Sequence, residues 1–169
     1  MMQRVIAGRE HEGSTVDEGL PIDVEFAFFF EETHRPMLRL AYLLTGSKAQ
    51  AEEAVQDCFA KVFERWARIN DPTAYMRRAV VNRCASWHRH RAVVRRTQSA
   101  VATDEAYNDH PDELRDVLDA LPARRRAVVI LRFYEGLDTA EIAGTLAVSE
   151  GTVKSTLHRA LEQMKGTLR

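Results

Sequence analysis

Apolar residues recur along this chain at three- and four-residue intervals, and no alternating stretch of useful length suggests a strand. The clearest stripe is Val55, Phe59, Val62, Trp66 and Ile69, which predicts a helix from Lys48 to about Ile69. Before it, Phe26, Phe29, Phe30, Met37, Leu40, Ala41 and Leu44 predict two helical pieces, or one bent at Pro36, ending before Thr45-Gly46-Ser47. Asn70-Asp71-Pro72-Thr73 is a break whose proline can open the next helix, Thr73 to about Arg91. On that helix Met76, Val80, Cys84 and Trp87 fall within about 80° of one another and are expected in the core. Arg78, Asn82 and Arg89 cluster within about 40° on the opposite side, with Tyr75 at their edge.

The second half repeats the helical pattern in shorter pieces. Residues 92–111 lack a stable period and read as a linker. Asp112 to Leu121 forms a short helix stopped by Pro122. Ala123 to Tyr134 forms another, with Val128, Val129, Leu131 and Phe133 largely inward and Arg124, Arg125, Arg126 and Arg132 outside. From Asp138 to Lys165 a short amphipathic helix, a tight turn at Val148-Ser149 and a longer helix make a helix-turn-helix pattern. Ser149 can cap the second of these by accepting from the amide of Gly151 or Thr152. Ala147 stands in the turn where such motifs commonly use glycine. The fold class expected is all-α: two small helical domains, 23–91 and 112–169, joined by a flexible linker, with residues 1–22 a mobile extension.

Charge changes the picture, because a net charge of −1 conceals segregated blocks. Residues 1–34 carry eight acids and two arginines; Pro72 to Thr103 carries seven arginines and no acid; Asp104 to Asp119 carries seven acids and one arginine. A nucleic-acid footprint is judged by where basic groups cluster, and here they cluster on and after the helix that also shows Asn82. Asparagine can pair with an adenine edge and arginine with guanine or phosphate, so this face can read DNA. Tyr75 could stack on a base. Glu53, Gln56 and Asp57, on the polar side of the preceding helix, form an acidic face that is either solvated or a docking surface.

Other chemistries find little support. Cys58 and Cys84 lack metal-ligand or redox spacing and read as small buried hydrophobes. No Ser/His/Asp spacing, phosphate loop or metal cluster appears, so neither an enzyme nor a cofactor is expected. His88 and His90 lie in the basic tract, where solvation or phosphate contact explains them. No apolar run approaches the roughly 20 residues needed to span a bilayer, and no signal peptide is apparent, so a cytoplasmic protein without stable membrane insertion is expected. A stand-alone regulator binding duplex operator DNA remains an alternative, but the first ninety residues lack a receiver domain's strands and acid cluster.

Two segments carry a family resemblance. LPARRRAVVILRFYEGLDTAEIAGTLAVSEGTVKSTLHRA, residues 121–160, and the tract from FFEETHRPMLRLAYLLTGSKAQAEEAVQDCFAKVFERW to AYMRRAVVNRCASWHRHR, residues 29–91, resemble a bacterial sigma factor of the sigma-70 family. The likeness is to its small extracytoplasmic-function branch. What the resemblance implies is a region 2 domain whose acidic helix docks on the clamp helices of the largest RNA polymerase subunit through Glu53, Gln56 and Asp57. The next helix would read the promoter −10 element through Tyr75, Arg78, Asn82 and Arg89. The loop Arg68 to Pro72 would help hold a base flipped from the melted strand, at an unstacking cost of a few kcal/mol. A region 4 domain would contact the polymerase β flap and the −35 element, with Lys154, Ser155, His158 and Arg159 at the family's contact positions and Arg132 and Thr139 near phosphate. Promoter DNA and core polymerase are thus the implied partners, and the branch often adds an anti-sigma factor.

Overall fold

The computed structural model describes residues 21–97 and 112–167; the N-terminal extension through residue 20 and linker residues 98–111 lie outside the described residues. The described chain forms α1 (Ile22–Thr45), α2 (Lys48–Glu64), α3 (Pro72–Thr97), α4 (Asp112–Asp119), α5 (Ala123–Phe133), α6 (Thr139–Leu146) and α7 (Glu150–Thr167). A short 3-10 turn, Trp66–Arg68, follows α2. No strand occurs among the described residues.

α1 is a single helix that runs through Pro36. Proline there removes one amide, which would have bonded the carbonyl of Glu32, and Glu32 and Pro36 are both exposed, so water can serve that carbonyl. Met37, Leu40, Ala41 and Leu44 pack inward as expected. The helix stops at Gly46, whose φ of 78° is left-handed and whose amide donates to Tyr42 O at 2.8 Å. Ser47 then caps α2, accepting from the Gln50 amide at 3.3 Å. α2 buries Ala51, Ala54, Val55, Cys58, Phe59 and Val62 and ends earlier than its stripe suggested. Trp66 and Ile69 remain partly buried because the 3-10 turn carries them back onto α1, where Trp66 meets Phe26 at 5.3 Å and Phe29 at 5.0 Å between ring centroids.

α3 completes a three-helix bundle with α1 and α2, burying Met76, Val80, Val81 and Cys84. Trp87 departs from expectation: it is only partly buried, edge-on to His88 and under the Arg91 guanidinium at 5.1 Å. In the C-terminal half α5 packs on α7 and α6, around Leu131, Ile142, Val128 and Val153, all essentially without exposure. Burying such a side chain is worth about 1.5–3 kcal/mol, so these residues form the apolar centre on which the three helices pack. α6 opens with a reciprocal cap: Glu141 N donates to the Asp138 carboxylate at 2.8 Å, and Asp138 N donates to Glu141 at 2.7 Å.

The two bundles meet at the carboxyl end of α1, where unsatisfied carbonyls and the helix dipole favour cations. Arg115 donates to Tyr42 O at 3.1 Å, and Arg126 donates to Leu44 O at 3.3 Å. His88 Nε2 lies 2.8 Å from the same Leu44 oxygen. A Cβ at Gly46 would collide with the Arg115 guanidinium, so glycine serves both the turn and this junction. A further tie joins Arg77 of α3 to Glu135, just before α6, at 2.8 Å. Arg126, expected outside, is therefore buried, and Phe133, expected inward, is 64% exposed.

Candidate nucleic-acid interface

The α3 face begins with a local device. Asp71 Oδ1 accepts from the Ala74 amide at 2.9 Å, and Pro72 occupies the first helical position, so the helix start is pinned. Beside it opens a cavity of about 790 Å³ lined by Arg65, Arg68, Asn70, Asp71, Tyr75, Arg78 and Asn82, with Ile69, Ala74 and Ala79 as its apolar wall. Three arginines, two asparagines and one aromatic ring around such a volume offer phosphate contacts, base-edge hydrogen bonds and a stacking surface. Tyr75, Arg78 and Asn82 are thus brought together, as the helical spacing expects. Arg89 is not part of this group; it bonds Ser86 Oγ at 2.7 Å and borders a second cleft, between α3 and α5.

Sequence reasoning passed over Arg65. It lies beyond the last turn of α2 with no periodic partner, and only the fold brings its guanidinium to the Tyr75 hydroxyl, at 3.4 Å. That bond orients the ring at the cavity wall.

α7 presents the other cationic face. Ser149 Oγ accepts from the Thr152 amide at 3.2 Å, the second of the two amides its position allowed. The turn before it is made by Ala147 in the left-handed region, φ 52° and ψ 51°, with its amide donating to Ala143 O. Val153 and Ala160 are buried, which leaves Lys154, Ser155, His158 and Arg159 exposed on the outer side. Ser155 Oγ donates to Thr152 O at 3.1 Å. Arg132 is exposed but tethered, donating to Leu137 O at 2.9 Å, and Thr139 is the partly buried first residue of α6.

The acidic face of α2 is divided. Gln56 is exposed, whereas Glu53 and Asp57 both accept from Arg83 of α3, each at 2.9 Å. The hydrogen bond that Arg83 donates to Asp57 is the first cause that raises the Arg83 pKa above its ordinary value. His88 is pushed the other way: burial, more than any neighbour, lowers its pKa, against the Leu44 carbonyl that favours the charged form. It is a junction residue, not the solvated or phosphate-facing group its basic surroundings suggested. Burial raises Cys58 to about 11 and Cys84 to about 12, so both thiols stay protonated and inert at neutral pH. No group of three metal-ligating side chains occurs among the described residues. No helix among them is long and apolar enough to cross a membrane.

Comparison with known proteins adds two independent matches. Residues 29–93 match the family Sigma-70 region 2, and residues 112–164 match Sigma-70, region 4. The chain is 35% identical over 153 residues to the RNA polymerase sigma-E factor of Streptomyces coelicolor, covering 86% of each. It is 31% identical over 153 residues to the ECF RNA polymerase sigma factor SigL of Mycobacterium tuberculosis, covering 82% of this chain and 86% of that one. Among solved structures, the sigma factor RpoE in complex with the anti-sigma factor NepR from Bartonella quintana has the same fold, with a TM-score of 0.70 at 21% identity over 85% of this chain and 96% of that one. CnrH in complex with the cytosolic domain of CnrY is similar at a TM-score of 0.65, with 19% identity over 86% and 88% of the two chains.

Proposed function

The chain belongs to the sigma-70 family, in its extracytoplasmic-function branch, and from that membership we propose how its residues share the work. A sigma factor binds core RNA polymerase, directs initiation at −35 and −10 promoter elements and stabilises the melted −10 strand; the chain acts in that way, through binding. The α3 face with Tyr75, Arg78 and Asn82 reads the −10 element, and Arg89 contacts the backbone at its far end. The cavity they line takes the base flipped from the melted strand, since it combines stacking, base-edge and phosphate partners in one place. On α7, Lys154, Ser155, His158 and Arg159 enter the major groove at the −35 element, with Arg132 and Thr139 beside the phosphates. Glu53, Gln56 and Asp57 face the clamp helices of the largest polymerase subunit. The second domain also meets the β flap.

The single observation that carries this reading is the lining of the cavity beside α3, whose arginines, asparagines and tyrosine offer an unstacked base the stacking, edge and phosphate partners that a reader of intact duplex does not need. The decisive experiment is reconstitution with core polymerase from the same host. The expected result is a transcript that starts downstream of one promoter class, and a shift in preferred −10 bases when Asn82 is replaced. Tight, specific binding to intact duplex without polymerase would instead favour a stand-alone regulator, and an unchanged preference across a randomised −10 library would remove Asn82 from the reading face.

A geometric consequence follows. Two elements some 25 base pairs apart are separated by about 85 Å of B-form DNA. In the described structure α3 lies against the helix-turn-helix: the Arg77–Glu135 ion pair ties α3 to the segment just before it, and a Cβ at Gly144 of α6 would sit 3.8 Å from the Arg78 guanidinium. Both elements cannot be engaged in this arrangement. The domains must part when polymerase sets their spacing.

A further inference from the structure

We propose that Arg83, although it lies on the promoter-reading helix, belongs to the polymerase-docking surface and supplies its cation; the inference rests on the reading of α2 as the docking helix. Around α3, Arg83 points about 100° away from Asn82 and further still from Arg78, so it cannot join the face that meets DNA. It points to α2 instead, where Nε holds Asp57 Oδ2 and Nη2 holds Glu53 Oε1, both at 2.9 Å. The three side chains are all partly exposed, between 33% and 53%, so water screens them in the free protein and the cluster adds little to folding.

Docking changes that balance. A partner lying over α2 would strip water from Glu53 and Asp57, and a covered carboxylate without a cation is costly. Arg83 is already in place, so two negative groups enter the contact as a cluster with one net negative charge. Only two of the five guanidinium N–H groups go to these bonds, so the arginine can also donate to an acceptor on the partner. The surface that fits is a polymerase face offering both a cation, for the outer carboxylate oxygens, and a carbonyl or carboxylate for Arg83. Gln56, exposed on the outer side of α2, continues the same patch. A docking contact made only of acids would favour any basic surface; an acid–arginine–acid cluster selects for a particular arrangement of charge.

The test uses the full chain and core polymerase, with affinity measured by titrating core into fluorescently labelled protein and transcription measured separately at saturating chain. Arg83→Ala is expected to weaken core affinity about tenfold and Arg83→Lys by less, because lysine keeps the charge although one amine cannot span both carboxylates, and transcription at saturation is expected to recover in both. The thermal midpoint of free Arg83→Lys should match wild type, which keeps the test valid if Arg83→Ala folds poorly. Unchanged affinity with reduced transcription at saturation would assign Arg83 to DNA and overturn the proposal. Unchanged affinity and unchanged transcription would make the cluster a surface ornament and overturn it too. Gln56→Ala, which does not touch Arg83, separates the underlying reading: if it leaves affinity intact, α2 docking itself fails, whereas loss there with none at Arg83 sinks only this inference.

Discussion

In the proposed reading the DNA contacts fall to individual exposed side chains, which can be replaced without disturbing the core. Replacing Lys154 or Arg159 with alanine is expected to weaken −35-dependent transcription by about 1–3 kcal/mol for a base contact, with polymerase affinity intact. Equal loss on templates without a −35 match would argue against that assignment. His88 allows a prediction in pH. Its folded pKa lies below the ordinary 6.5 because it is buried, so the fold favours the neutral ring. Stability from that preference is present above pH 6.5 and is lost as pH falls from there through the depressed folded value. Chemical denaturation between pH 7.5 and 5.5 should therefore show a falling midpoint in wild type and a flatter one in His88→Gln; parallel curves would remove His88 as the cause. The spacing of α3 placed Trp87 inward and left His88 to solvent, whereas the structure leaves both partly buried, with His88 turned onto the Leu44 carbonyl. A helical wheel locates the stripe facing the nearest helix, but it cannot know that the end of α1 approaches on the other flank.

At the scale of the element, most boundaries were legible because short-range chemistry sets them. Ser149 starts α7, as its position before an apolar run indicated, and the structure shows the same local chemistry at the Asp138/Glu141 box that starts α6 and at Ser47, which starts α2. Asp138→Ala is expected to cost about 0.5–2 kcal/mol by leaving the Glu141 amide without its acceptor. Urea denaturation would measure it, and a change below a few tenths of a kcal/mol would mean the cap is dispensable. What the pattern alone left undecided is where a helix bends. Pro36 offered a bend or a break, and α1 continues because the lost bond falls on its exposed side. The stripe on α2 likewise ran through Ile69, although the backbone tightens into a 3-10 turn that returns Trp66 to the aromatic cluster with Phe26 and Phe29. Periodicity survives such a turn, so it cannot reveal one.

The molecule as a whole adds the junction that neither half contains. Arg115, Arg126 and His88 converge on two carbonyls at the end of α1, and Arg77–Glu135 closes the other side. If the domains part on docking, energy transfer between dyes at Glu31→Cys on α1 and Gly166→Cys on α7 should be high in the free protein and fall when core polymerase is added. Both sites are exposed, and the native thiols, held protonated by burial, should not compete for label. Transfer that does not change on binding would refute the opening. The amino-acid sequence by itself determined the all-helical class, the two helix-turn-helix partners with the Ser149 cap, and the cationic faces of α3 and α7, since periodicity and capping act within a few residues. Only the tertiary structure decided that Arg126 is buried, that Phe133 is exposed, that Arg65 joins Tyr75 and that Arg83 serves α2. Those facts depend on which surfaces meet, and such meetings join residues tens of positions apart with no spacing to announce them.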